Sequence, residues 1–255
     1  MVEVDRDKLE RQVKEVYKDV AEQPDEEFHF EMGRDLAIRL GYDAAHLDQV
    51  PEQALESFAG VGYHLGFADP QSGESVLDLG CGSGMCVFYI SSLVSEAGHV
   101  TGLDMTPEQL AKASRLAVDA DILNVSFEDG YIESLPFDDA SFDLVVSNGV
   151  INLSAKKSAV FAEAHRVLKS SGRLAISDII SEQHMPESIT TDEDLWAACI
   201  GGAMQIDDYL ALIESMGFNI ESVKENVEYQ FTSDQARSAC EKYGVKSISL
   251  LASKD

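Results

Sequence analysis

Cysteine is scarce in this 255-residue chain, and the thiols at 81, 86, 199 and 240 form no C-x-x-C pair and no cluster with histidine. That excludes the usual zinc and thioredoxin-like arrangements, so no metal site is expected and free, packed thiols in a reducing compartment are. Long apolar runs are lacking too. No stretch approaches the roughly 20 consecutive apolar residues of a membrane span, and the charged start MVEVDRDKLERQ has no apolar core of a secretory signal. A cytoplasmic protein with no membrane partner is expected. Positive charge is the third shortage: 19 Lys and Arg stand against 46 Asp and Glu, a net of -27. Such a surface repels phosphate backbones and anionic lipids, so no nucleic acid partner is expected. It is a solvated surface whose self-repulsion a salt-rich cytosol would screen.

What is present is alternation. Residues 5 to 22 read as a helix with Leu9, Val13, Val16 and Val20 on one stripe, and residues 32 to 58 read as a second. From Ser75 strands and helices take turns: strand 75–79, helix 84–95, strand 99–104, helix 107–120, strand 124–128, strand 142–147, helix 155–168, strand 173–179. Thr106-Pro107 opens a helix, and Ser171-Gly172 reads as a turn. Helical stretches near 191–200 and 205–216, strand 219–230, helix 233–243 and strand 246–252 follow, with Tyr243-Gly244 turning the chain back. The expectation is an α/β fold, a doubly wound, mostly parallel seven-stranded sheet of Rossmann-like kind. Residues 1–74 would form an N-terminal helical cap and residues 75–255 the ligand-binding domain.

The most informative stretch is VLDLGCGSGMC, residues 76–86, where a buried strand meets a glycine-rich turn into a helix. A dinucleotide loop would need a third glycine where Met85 stands, and a P-loop would need a lysine followed by serine or threonine. Here the pattern is Asp78, Gly80, Gly82 and Gly84, with a second acid, Asp104, ending the next strand. Asp104 sits where an acid accepts both hydroxyls of a ribose, and Asp78 would repel a pyrophosphate but attract an ammonium. A nucleoside without phosphates and with a positive end satisfies both, which describes S-adenosylmethionine. Cys81 and Cys86 are then packing residues.

With that loop, the stretches GHVTGLDMTPEQLAKA, FEDGYIESLPF, SFDLVVSNGVINLS, EAHRVLKSSGRLAISDI and LWAACIGGAM resemble class I S-adenosylmethionine-dependent methyltransferases, and within them the arsenite methyltransferase family, over nearly all of residues 1–217. The resemblance implies that Gly80, Gly82 and Gly84 approach the methionine and ribose, supported by Asp78, and that Asp104 takes the ribose hydroxyls. It places Met105, Gly130, Tyr131 and Ile132 around the adenine and Asn148 near the methionine end. It also marks a departure. The family's thiolate positions hold Val61 and Gly149 here, FHFEMG at 28–33 replaces an N-terminal cysteine cluster, and only Cys199 matches. One thiolate cannot make a three-thiolate pocket for a soft metalloid, so a small-molecule methyl acceptor other than arsenite is expected. Two alternatives stay open: arsenite methylation with exogenous thiols, and a non-catalytic S-adenosylmethionine-binding regulator.

For the reaction itself, His64 follows Gly60-Val61-Gly62-Tyr63 and is the first candidate base, because histidine titrates near neutrality. His29 is a second candidate, while His165 reads as structural. Tyr17 on the first helix would close over the cofactor. Trp196 and Cys199, at i and i+3, would share one helical face and line the acceptor pocket.

Overall fold

The computed structural model describes residues 5–192, 195, 196 and 199–255. Strands β1 (Ser75–Leu79), β2 (His99–Asp104), β3 (Val125–Asp129), β4 (Phe142–Asn148), β5 (Leu168–Ser181), β6 (Met204–Gln205), β7 (Phe218–Glu225) and β8 (Lys246–Lys254) form one sheet. Its order is β3-β2-β1-β4-β5-β8-β7, with the two-residue β6 beside β5. All pairings from β3 to β5 are parallel, and β8 runs antiparallel between β5 and β7. The inner strands are largely apolar because both faces are covered, and the pleat sends successive residues to opposite faces. Val76, Leu144 and Val146 enter the core on one face, while Leu77, Leu79 and Val145 enter the core on the other.

The first core is covered by α2 (Arg34–Leu40), α3 (Ala44–Leu47), α4 (Glu52–Glu56), α5 (Leu65–Ala68), α6 (Met85–Val94) and α7 (Pro107–Asp119). The second is covered by α8 (Lys157–Val167) and α10 (Ile206–Ser215). Helix α1 (Arg6–Glu22) packs on α7, α9 (Glu187–Thr190) is a single turn, and α11 (Asp234–Tyr243) precedes β8. Among the described residues no helix is long and apolar enough to cross a membrane.

Three expectations are corrected. The single helix over 32–58 is three short ones, because Gly41 caps α2 in the left-handed region at φ 111°, Asp43 caps α3 and Pro51 precedes α4. The strand expected at 173–179 extends over 168–181, with Ser171 at φ 61° inside it and a register shift against β4, so Ser171-Gly172 is an irregularity rather than a turn. The strand at 219–230 stops at Glu225, and just beyond it Asn226 N donates to Ser247 O (2.9 Å) and its side chain to Ser247 Oγ (2.8 Å). The helix near 191–200 lies partly outside the described residues.

Candidate functional site

A cavity of about 480 Å³ opens at the carboxyl ends of β1, β2, β3 and β4, where the strand order reverses. β1 delivers Asp78 and Gly80, β2 delivers Asp104 and Met105, the turn after β3 delivers Gly130, Tyr131 and Ile132, and β4 delivers Asn148 and Gly149. Helix α1 roofs it with Arg6, Leu9, Glu10, Val13 and Tyr17, one stripe of its surface. Of the residues singled out for the cofactor, Asp78, Gly80, Gly82, Asp104, Met105, Gly130, Tyr131, Ile132 and Asn148 all line this one cavity. Gly84 stands behind the loop as the left-handed cap of α6.

The loop needs glycine for space. A Cβ on Gly80, which sits at φ 71°, would lie 2.5 Å from Val150 Cγ2. Gly82 N donates to Asp104 Oδ2 at 2.9 Å and Thr106 N to Asp104 Oδ1 at 2.8 Å, so the carboxylate organises the loop while facing the cavity. Burial raises its pKa, and these N–H donors oppose the rise. Asp78 is 2% exposed, and burial reinforced by the nearby Asp104 pushes it up to about 7. Asp78 and Asp104, with Glu10 and Glu133, therefore line one cavity whose lining cations, Arg6 and Lys156, are both exposed. Such a lining fits a nucleoside carrying a positive end and disfavours a pyrophosphate.

Asn148 lines the cavity and also holds a neighbouring loop. Its Oδ1 accepts from Val61 N (2.8 Å) and Gly62 N (3.3 Å), and its Nδ2 donates to Tyr42 Oη (3.1 Å) and Gly62 O (2.9 Å). The amide reaches the cavity as the clasp of the 59–62 loop.

His64 is absent from the cavity wall. It is completely buried, with Nδ1 3.4 Å from Ser177 Oγ and Nε2 without a partner, and burial pulls its pKa down to about 3. It is a neutral core histidine, so the expectation of a base there is corrected. His29 stacks edge-on against Phe30, and His165 against Phe218 far from the cavity. Tyr17 lies in the roof, and burial, with Cys199, Tyr229 and Asp104 nearby, raises its phenol well above the ordinary range. Trp196 donates its indole N–H to Thr190 O (2.8 Å) and packs against Leu9 and Val13 of the roof. Cys199 sits at φ 62°, its N donates to Trp196 O at 2.8 Å, and it packs in the cluster of Val61 and Ile179. The helix expected to carry both residues passes through 197 and 198, which lie outside the described residues. Burial pushes the Cys199 thiol up to about 11.

Val61 and Gly149 are neighbours: a Cβ on Gly149 would lie 3.1 Å from Val61 Cγ1. The structure thus brings 61 and 149 together, with Cys199 in the buried cluster of Val61. Tyr229, packed on that cluster, was missed because it lies in an irregular stretch. Gln109 was missed as well. It binds Ser83 Oγ and donates to Tyr17 O (2.7 Å), and only its place one turn into the helix after Asp104 hints at this. Among the described residues no group of three or more His, Cys, Asp or Glu could hold a metal.

Comparison with known proteins places these features in context. Residues 70–217 match the methyltransferase domain family. An arsenite methyltransferase of Halobacterium salinarum is 39% identical over 197 residues, 77% of this chain and 50% of its own. That of Aquipseudomonas alcaligenes is 43% identical over 165 residues, 61% of this chain and 48% of its own. The chain spans about half the length of these curated relatives. The crystal structure of an arsenic(III) S-adenosylmethionine methyltransferase from Chlamydomonas reinhardtii superposes with a TM-score of 0.68 at 34% identity, covering 82% of this chain and 71% of that one.

Proposed function

Since the chain belongs to the methyltransferase domain family, we propose that it transfers a methyl group from S-adenosylmethionine to a small-molecule acceptor other than arsenite. The observation that carries the cofactor assignment is the pair of acids, Asp78 and Asp104, lining one cavity at the ends of neighbouring parallel strands. In this reading Asp104 accepts the ribose hydroxyls, Asp78 faces the methionine ammonium, and Met105, Gly130, Tyr131 and Ile132 wall the adenine. When bound, S-adenosylmethionine supplies an electrophilic methyl group on a positively charged sulfur. The chain's own work is orientation and exclusion of water. Residues 1–74 act as the cap, with Leu9, Val13 and Tyr17 as its roof, and residues 75–255 hold the cofactor. Tyr17, kept neutral by its surroundings, donates a hydrogen bond rather than taking a proton. Four free thiols accord with a reducing cytoplasm.

The acceptor assignment rests on Val61 and Gly149. Trivalent arsenic gains affinity from thiolates acting together, since each further ligand binds at high effective concentration. Cys199 alone, kept protonated by burial, does not supply that. Gly149 at φ 76° would also strain any cysteine placed there.

Calorimetry and a transfer assay test both halves. The protein is expected to bind S-adenosylhomocysteine, and Asp104→Ala to weaken it at least tenfold, since hydrogen bonds to a charged group contribute about 1.5–3 kcal/mol each. Arsenite supplied with excess glutathione is expected to stay unmethylated. Unchanged affinity in Asp104→Ala would overturn the cofactor assignment, and robust arsenite methylation would restore the arsenite reading. Cofactor binding with no transfer to any of a panel of thiols, amines and phenols would favour a regulator.

A further inference from the structure

Helix α1 is fastened unevenly. Its second half is tied to α7 and to Ser57: Gln109 Nε2 donates to Tyr17 O (2.7 Å), Lys112 Nζ to Ala21 O (3.0 Å), and Ser57 Oγ to Val20 O (2.8 Å). Its first half crosses the cavity and meets the opposite wall through a closed triangle. Tyr131 Oη donates to Glu10 Oε1 (2.7 Å), Lys14 Nζ donates to the same oxygen (2.8 Å), and Lys14 Nζ donates to Tyr131 Oη (3.0 Å). The ammonium also lies 4.9 Å from the Tyr131 ring centroid. Tyr131 comes from the turn after β3 and lines the cavity itself, so the triangle joins the roof to the wall.

We propose that Glu10, Lys14 and Tyr131 form a latch that holds α1 over the cavity, and that its opening admits and releases the cofactor. This rests on the reading of the cavity as the S-adenosylmethionine site. The geometry supplies a hinge and a catch: the firmly tied end stays, and the end carrying Arg6, Leu9 and Glu10 swings. The catch is weak enough to open, since the Lys14 and Glu10 side chains are 31% and 38% exposed and such pairs contribute little in water. The hydrogen bonds from Lys14 and Tyr131 keep Glu10 ionised, so the catch stays charged near neutrality.

The chain carries its own reporter. Trp196, the one tryptophan, packs against Leu9 and Val13 of the moving end. Stopped-flow tryptophan fluorescence with S-adenosylhomocysteine, on wild type, Glu10→Gln, Lys14→Met and Tyr131→Phe, gives both rate constants. Each variant is expected to raise association and dissociation rates at least threefold while Kd moves less than either. The Glu10→Gln, Tyr131→Phe double variant should add little to the single changes, because both act on the same closed triangle. Faster dissociation with unchanged association would mean that these side chains act only as cavity wall, and would overturn the latch, as would unchanged rates. Should Glu10→Gln fail to fold, Lys14→Met decides alone. Wild-type protein that does not bind S-adenosylhomocysteine would instead sink the cofactor reading.

Discussion

At Asp78 burial and a neighbouring like charge act in the same direction. Removal from water and the nearby Asp104 push its carboxyl up to about 7, above the usual carboxylate range. In the proposed reading an ammonium beside it favours the ionised form, which links cofactor binding to Asp78 deprotonation. Below pH 7 a growing share of the protein carries a neutral Asp78 and loses that attraction. Affinity for S-adenosylhomocysteine is therefore expected to fall by about tenfold per pH unit below 7 and to level off above it. Calorimetry between pH 5.5 and 8 reads this directly, and Asp78→Asn should flatten the profile at the low-pH affinity. A flat wild-type profile would remove Asp78 from the binding site. The glycines and the two acids were legible from chemistry, because each stands at a fixed offset from a strand end. Asn148 was legible as a position but not as a clasp, since its partners Val61 and Gly62 are remote in sequence and no local pattern records the pairing.

At the scale of elements, α1 is a helix whose end is finished by others. Asp5 caps its start by accepting from Lys8 N at 3.1 Å, but its last turn has no basic residue to meet the orphan carbonyls. Ser57 and Lys112 supply what is missing, and Lys112 Nζ also donates to Ser57 Oγ at 2.8 Å. Lys112→Met should cost about 1–2 kcal/mol through the unpaired carbonyl, lowering Tm by several degrees in a thermal melt. An unchanged Tm would mean water replaces the ammonium without loss. Elements with a clear period were readable: β2 occupies the expected 99–104, bounded by Gly98 and by the Thr106-Pro107 start. Residues 32–58 misled because the apolar stripe of three short helices continues across Gly41 and Pro51, and periodicity alone does not register a change of axis. The insertion of β8 between β5 and β7 was likewise invisible, because pairing partners are chosen by the whole sheet.

For the whole molecule, the charge of -27 sets the conditions of use. Self-repulsion destabilises the compact state, and salt shortens its range from about 10 Å at 0.1 M to about 3 Å at 1 M. Tm is therefore expected to rise steadily between 0.1 and 2 M KCl, with most of the gain at the low end, where screening changes most. A Tm that falls over this range would show that the ion pairs, such as Arg173 with Glu74 at 2.8 Å, outweigh the net repulsion. Helix α1 stands apart from this imbalance: Arg6, Lys8, Arg11, Lys14 and Lys18 offset Asp7, Glu10, Glu15, Asp19 and Glu22. The helix carries no net charge, so the rest of the chain holds the whole imbalance.

The place of β8 governs how the protein is made. β5 is complete at residue 181, yet the strand that covers its free edge begins only at residue 246. On a ribosome adding about 5–20 residues per second, the exposed edge waits roughly 3–13 s for its partner, and β7 has nothing to pair with until the same moment. The residues that line the cavity, from Arg6 to Ala159, are all synthesised well before then. A nascent chain could thus hold its ligand while still offering an open strand to its neighbours on a polysome.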